Sequence, residues 1–418
     1  MNDKVYTFRD AKMSSLPLRL INAIGAGAAA CGLQYPSLKA DDIRAAAQQR
    51  TGLSDFGDAG IHEALQQYVD SAENESHLNL LGRFAARNML VNALSNRLQV
   101  IDWAKQHPQI TDEQIEQPWI VVGLPRTGTS LLCSLLGLDP GSRPLLQWEA
   151  ARPMPPAELA TAAEDPRIAA FANDVKRVLQ VSPALGAMHP FGSTLAEECT
   201  AVFTYSLRTI GIETIAFVPS YGHWLDRCDM RPAYALHKTV LQSFQYAQPT
   251  ARWVLKSPNH LWCLDAMLAT YPNARVVWMH RDPADVVTSL ASINNAMQIS
   301  FTNKHDPVRV GNYWADKLVD GIAKGSAFDA TQPEGWCQHI QYDDLMADTA
   351  GTVEKLYRSF GDTVQPLHRR RINTWLQHRP QNAFGRHGYD PRDFGWTQED
   401  LRARFSAYRQ RYGIRSAP

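Results

Sequence analysis

The chain has 418 residues, of which 44% are hydrophobic and 20% charged, with 42 Lys+Arg against 42 Asp+Glu. That length suits one large α/β domain with an extension, or roughly two or three average domains, and leaves ample material for a core. The neutral balance excludes a chain-wide field for nucleic acid or an anionic membrane, and six scattered cysteines without a C-x-x-C pair exclude a zinc ribbon or disulfide framework and fit reduced thiols.

Residues 1–117 carry helical signals. The apolar run Leu20–Leu33 follows Lys4, Lys12 and Arg19 in the manner of a secretory leader, but Asn22, Gly25 and Gly27 interrupt it, and Asp3 and Asp10 oppose the basic start. No other run approaches the roughly 20 apolar residues of a membrane-spanning helix. The expectation is a cytoplasmic protein with no transmembrane segment. Ser37 opens a segment of high helix propensity that stops near Gly52. Residues 60–75 and 79–106 repeat apolar residues every three or four positions, with Leu80, Leu90, Leu94 and Leu98 on one broad face. Such a face serves packing or a partner, so a homo-oligomer stays open.

The next stretch, Pro118 to Leu136, changes character. Trp119–Val122 is a short β-branched run, read as a buried strand. Gly123, Pro125 and Gly128 make a turn, and a leucine-rich helix follows. A strand, a glycine loop and a helix start form an anion site, because free N–H groups and the helix dipole point the same way. Arg126 adds a full charge there, and Thr129 and Ser130 add hydroxyls. Gly123-x4-Gly128 has the spacing of the nucleotide P-loop G-x-x-x-x-G-K-[ST], yet Thr129 stands where the phosphate-reading lysine belongs. A loop that cradles one phosphate-like group fits better than an ordinary NTPase.

Residues 139–156, rich in proline, read as an ordered connection without regular elements. Within them Glu149 lies just downstream of the positive loop, where a carboxylate can approach a reacting group. Residues 158–208 read mainly as helices. His189 before Pro190 reads as a turn residue, and the Glu197–Glu198 pair as helix-opening acids that favour the dipole; an acceptor-side role for the three is the sharper alternative. Residues 219–232, with Tyr221, His223 and Trp224, suit either a substrate wall or a packed loop.

Arg252–Lys256 reads as a strand, residues 261–271 as a helix and Arg275–His280 as the next strand. A β-α-β unit implies a parallel sheet with functional groups at the strand C-termini, and Lys256 and Arg281 sit at those ends. In Arg281-x-Pro-x-Asp-x-x-x-Ser289 an arginine fork precedes a hydroxyl on the following helix, two donors suited to one phosphate. A further helix from 305, a strand over 337–342 and a helix over 344–360 complete the sheet pattern. Arg386 and His387 read as a charged surface loop, with contact to a bound cofactor as the alternative.

Pro125-Arg-Thr-Gly-Thr-Ser130, Lys256 and the Arg281–Ser289 pattern together resemble the sulfotransferase family, which uses 3′-phosphoadenosine 5′-phosphosulfate (PAPS). The likeness spans nearly the whole chain. Thr51 to Gly57, Leu81 to Arg83 and His189-Pro with Glu197-Glu-Cys199 resemble a bacterial branch with a helical N-terminal extension, and Glu149 is similar, with a two-residue offset, to the general base of tyrosine-protein members. The resemblance implies an α/β fold with a P-loop-like parallel sheet flanked by helices, an extension over 1–117 and the transferase region over 118–418. It implies sulfuryl transfer to a hydroxyl, less readily an amine, of a small-molecule or lipid-like acceptor. Arg126, Thr127, Gly128, Thr129 and Ser130 would bind the phosphosulfate, Arg281 and Ser289 the 3′-phosphate. Arg126 and Lys256 would stabilise the leaving group, Glu149 would take the proton, and no metal would be required. A P-loop kinase or NTPase and a non-catalytic nucleotide-binding protein remain the competing readings.

Overall fold

The computed structural model describes residues 4–13, 15–378 and 385–415. Its centre is a parallel sheet. Strands are numbered along the chain as β1 (Val5–Tyr6), β2 (Trp119–Gly123), β3 (Ser142–Pro144), β4 (Arg252–Lys256), β5 (Arg275–His280), β6 (Cys337–Gln341) and β7 (Arg386–His387). The main sheet has the order β3-β4-β2-β5-β6, while β1 and β7 form a small parallel pair of their own. Every main-sheet pairing is parallel, with Ile120 opposite both Leu255 and Val276.

Helices cover both faces, and alternation along the strands shows it. Ile120, Val122, Trp253, Leu255, Val276 and Trp278 enter one apolar cluster, and Trp119, Val121, Val254, Val277 and Met279 enter another. Side chains one position apart point to opposite faces, so continuous apolar strands mean burial on both sides. The first cluster runs on into α2 (Ala40–Thr51), α3 (Gly60–Glu75) and α4 (Leu80–Gln106), which follow α1 (Leu16–Ala30), with Leu65, Leu90, Leu94 and Leu98 among its members. The second holds Leu132, Leu135 and Leu136 of α5 (Thr129–Leu136) and residues from the C-terminal third of the chain.

Ser37 lies before α2, as its sequence suggests, but it is not the cap residue. Its hydroxyl accepts from the Lys39 amide at 3.2 Å and donates to Asp42 at 2.5 Å. The run after Leu20 belongs to α1, which rests on α4 where the Asn22 amide oxygen accepts from the Leu81 backbone at 3.1 Å. Among the described residues no helix is long and apolar enough to cross a membrane.

Two segments depart from the sequence reading. Residues 139–156 contain the edge strand β3 and the helix α6 (Gln147–Ala151). A three-residue strand with a terminal proline has no periodicity to detect, and proline is tolerated there only because it sits on an edge. Residues 219–225 form a helix rather than an irregular wall, with Tyr221 fully buried against Tyr68 and Trp224 Nε1 donating to Glu63 at 2.9 Å. The segment is packing.

Arg252 ties the edge of the sheet to its neighbours. It donates to Asp139 at 2.7 Å and Asp362 at 3.1 Å, and lies 4.3 Å from the Trp119 ring centroid. Arg252→Ala would strand the mostly buried Asp139 carboxylate, so urea denaturation is expected to show a loss of about 3 kcal/mol, with Arg252→Lys recovering part of it.

Candidate active site

The site is built at the C-terminal ends of β2, β4 and β5. After β2 the chain turns through Arg126, at φ 68°, and Gly128, at φ 88°, both left-handed, before α5 begins. Gly128 is required twice over. Its φ penalises any L side chain, and a Cβ there would stand 2.9 Å from the Tyr342 ring. Thr127 is fully buried, and its hydroxyl donates to the Leu124 carbonyl at 2.7 Å, so it shapes the loop from within. Pro125, Arg126, Gly128, Thr129 and Ser130 line a cavity of about 830 Å³.

Arg126 is held by neutral acceptors. Its Nε donates to Ser289 Oγ at 3.2 Å and its Nη1 to the Met188 carbonyl at 3.1 Å. Arg281, at the end of β5, donates from Nη1 to the Arg126 carbonyl at 3.0 Å and lies 4.4 Å from the Tyr342 ring centroid. Ser289 sits on α7 (Pro283–Gln298), eight residues beyond Arg281. The arginine–serine pattern read from sequence is therefore joined through Arg126, not by a direct Arg281–Ser289 bond in this state. Burial, with Arg281 close by, pulls the Arg126 guanidinium below its usual range. Crowding two guanidinium groups on one cavity favours a multiply charged anion between or beside them.

Lys256 ends β4 and is 2% exposed. Its Nζ donates to Glu198 Oε1 at 2.8 Å. Burial works against the lysine charge, and Glu198 more than restores it, leaving Lys256 above the usual ammonium range. Burial likewise opposes the Glu198 charge, and Lys256 overrides it, holding Glu198 below the usual carboxylate range. Glu197 differs. Burial drives it up to about 7, with Lys256 acting in the opposite sense. Its position comes from backbone pairing that extends the sheet past β3: Glu197 N donates to the Leu145 carbonyl at 2.7 Å and Gln147 N to the Leu195 carbonyl at 3.1 Å. His189 is drawn down to about 4 by burial and is neutral at pH 7.

A second cavity of about 610 Å³ adjoins the first. Ser130, His189, Pro190 and Trp375 line both, so they form the partition. Glu198 faces the loop cavity, while Lys256 and Glu197 face the second. The structure thus brings Arg126, Gly128, Thr129, Ser130, Arg281, Lys256, His189, Glu197 and Glu198 to one composite hollow.

Glu149 is not among its lining residues. The residue is 3% exposed and paired with Arg143 at 2.5 Å, and also accepts from the Leu146 amide at 3.3 Å. Burial raises its carboxyl and Arg143 partly offsets that. Its place just past the loop in sequence does not put it at the loop in space, because β3 and α6 carry it to the sheet edge. His387 bonds to Ser292 Oγ at 2.9 Å on α7 and is lowered to about 4 by burial, with Arg126 acting in the same direction, so the charged tail segment does come close to the loop. Residues missed from sequence are those of the helix Pro366–His378, which supplies Trp375 to the partition; its only sequence signal is an amphipathic pattern behind three successive arginines. Among the described residues no group of three or more His, Cys, Asp or Glu is placed to hold a metal ion.

The fold and loop define a class: parallel-sheet α/β transferases in which a glycine loop and helix start cradle an anionic group. The family model for the sulfotransferase family matches residues 118–366, more than half of the chain, and the chain belongs to that family. Two solved structures are similar over nearly their whole length. Sulfotransferase STF1 from Mycobacterium tuberculosis H37Rv shares 33% identity at a TM-score of 0.80, covering 88% of this chain and 98% of that one. Sulfotransferase STF9 from Mycobacterium avium shares 27% identity at a TM-score of 0.83, covering 91% and 98%. No curated protein gives a significant match by sequence.

Gly128→Ala tests the loop directly. Forced left-handed backbone and contact with Tyr342 are expected to cost roughly 1–2 kcal/mol by chemical denaturation, while Gly335→Ala, equally left-handed but open around its Cβ, should pay only the backbone share.

Proposed function

We propose that the protein transfers the sulfuryl group of PAPS to a hydroxyl of a small-molecule or lipid-like acceptor. One observation carries this reading. Two anion readers from distant motifs, Arg126 and Arg281, are bonded to each other through the Arg126 backbone and share a cavity with the helix start at Thr129 and Ser130. PAPS has two anionic ends on one nucleoside, and the proposal divides them. Arg126, the loop amides and the Thr129 and Ser130 hydroxyls take the 5′-phosphosulfate, with Thr127 setting the loop's shape. Arg281 and Ser289 take the 3′-phosphate.

In the transfer an acceptor oxygen attacks sulfur while the bond from sulfur to the bridging oxygen breaks. The electron pair of that bond passes to the phosphate oxygen, and adenosine 3′,5′-bisphosphate departs. Arg126 and Lys256 would stabilise that growing negative charge, an effect strongest in a partly dry site, with Lys256 exchanging its bond to Glu198 for one to the bridge oxygen. The acceptor proton goes to a carboxylate. Glu197 suits the task better than Glu149: it faces the hollow beside Lys256, and its affinity for protons matches neutral pH. Glu198, held low by Lys256, is the poorer base and the better counter-ion.

Adenosine 3′,5′-bisphosphate is expected to raise the melting temperature in the presence of a chelator, and AMP to raise it far less. Arg281→Ala should weaken the bisphosphate by roughly 2–4 kcal/mol and leave AMP nearly unchanged. Equal stabilisation by the two nucleotides would remove the 3′-phosphate role from Arg281 and Ser289.

The base has its own signature. With a phenol as acceptor, kcat/KM should rise with pH through about 7 as Glu197 loses its proton. Glu197→Gln should cut turnover roughly 10²–10⁴-fold and abolish that limb while keeping bisphosphate affinity. Glu149→Gln is expected to keep the limb, and a lost limb in Glu149→Gln with a normal one in Glu197→Gln returns the role to Glu149.

A further inference from the structure

The second cavity holds more than the transfer chemistry requires. One wall is Ser134 and Leu138, on and just beyond α5; another is Leu195 and Ala196 beside Glu197; the roof is the helix Pro366–His378. That helix begins at the last residue of the span matched by the family model. It contributes Arg370, Arg371, Thr374, Trp375 and His378 to the cavity. Its buried residues, His368 and Ile372, anchor it, with His368 Nε2 bonded to the Leu135 carbonyl at 2.8 Å.

The charge at the mouth is one-sided. The helix contains three arginines, two histidines and no acid. Arg369 pairs with Glu354 on the outer side. Arg371 is satisfied only by a neutral group, the Leu138 carbonyl at 3.2 Å, and among the described residues no salt bridge engages Arg370 or Arg371. Both are exposed. The rest of the lining is mixed, with Leu138, Leu195, Ala196 and Trp375 among its apolar members beside the neutral Ser134, Gln147 and Thr374, and Glu197 and Lys256 complete it. A cavity with reacting groups at one end, a partly apolar middle and two uncommitted guanidinium groups at the mouth matches an elongated molecule with a hydroxyl at one end and an acid at the other. In-line displacement also asks for the acceptor oxygen on the side of sulfur opposite the leaving oxygen, and this cavity lies across the partition from the loop.

Resting on the sulfuryl-transfer reading, we infer that the cavity roofed by helix 366–378 is the acceptor site, and that it selects amphipathic hydroxyl compounds bearing a carboxylate or similar acid, held at the mouth by Arg370 and Arg371. Trp375 closes the partition between donor and acceptor, and Leu138 and Leu195 line the apolar path between the arginines and Glu197.

The test uses 8-(4-hydroxyphenyl)octanoate and its methyl ester, titrated by calorimetry into the full chain saturated with adenosine 3′,5′-bisphosphate. The acid is expected to bind about tenfold or more tightly than the ester, the difference shrinking at high salt. Arg370→Ala/Arg371→Ala, both exposed positions, should bring the acid to the ester's affinity with melting temperature and bisphosphate affinity unchanged. Equal binding of acid and ester, binding of neither, or a preference that survives the double variant overturns the inference. Failure of the bisphosphate to bind would instead strike the donor reading; the same titration on the protein without it then still decides whether the cavity prefers the acid.

Discussion

A lysine that is almost wholly buried must have a counter-charge, and the arrangement of this site follows from that requirement. Lys256 ends the second strand from the sheet edge with its side chain 3% exposed. An unpaired ammonium there would lose several kcal/mol of solvation or give up its proton. Glu198 prevents both at 2.8 Å. Placing Glu198 means placing the segment that carries it, and the backbone pairing of Leu195–Glu197 with Leu145–Gln147 does so by adding a short run to the sheet beyond β3. The neighbouring Ser257 and Thr200 hydroxyls, 2.7 Å apart, tie the Glu198 segment to the end of β4 a second time.

Pairing of that kind also separates two adjacent glutamates into different chemical states. Glu198 faces the lysine and is kept ionised. Glu197 points the other way along an extended segment, sees the same lysine at greater distance and feels mainly burial. Neighbouring carboxylates driven apart in proton affinity are a common way to obtain one fixed charge and one exchangeable proton in a single site. An incoming anion would compete with Glu198 for Lys256, and release of Glu198 would add negative charge beside Glu197, raising its proton affinity further. On the proposed reading, donor binding and proton acceptance would be coupled through that one ion pair.

Much of this was legible in the sequence, and the reasons are local. β4 and β5 have the bounds read from their apolar runs, because a strand buried on both faces leaves a continuous signal. The loop was legible because glycine spacing and the absence of the P-loop lysine constrain backbone and charge together. What failed were inferences across space. Glu149 lies near the loop along the chain, but the edge strand β3, too short to announce itself, turns it toward Arg143. Nor could sequence show that Arg126, in a left-handed conformation that no propensity foretells for arginine, bonds to both Arg281 and Ser289, the two residues read as donors to one phosphate. Helix 366–378 passed without notice because an arginine-rich surface helix reads as solubility until the cavity beneath it is seen.

The same topology separates chemistry from selection. Loop, Lys256, Glu197–Glu198 and Arg281 all lie within residues 118–366, the span shared with the family, and all are rooted in the parallel sheet or in chain paired to it. Helix 366–378 reaches the loop cavity through Trp375 and Leu376 and is fastened to α5 by His368, bonded to the Leu135 carbonyl. On the proposed reading, substitutions at its exposed Arg370 and Arg371 would change which molecule enters without moving a strand end or the buried ion pair. Changes to the Lys256–Glu198 pair have no such freedom, since removing either partner leaves a buried charge at the junction of both cavities. Tolerance to change in this fold should accordingly be greatest at the roof of the second cavity and least at its floor.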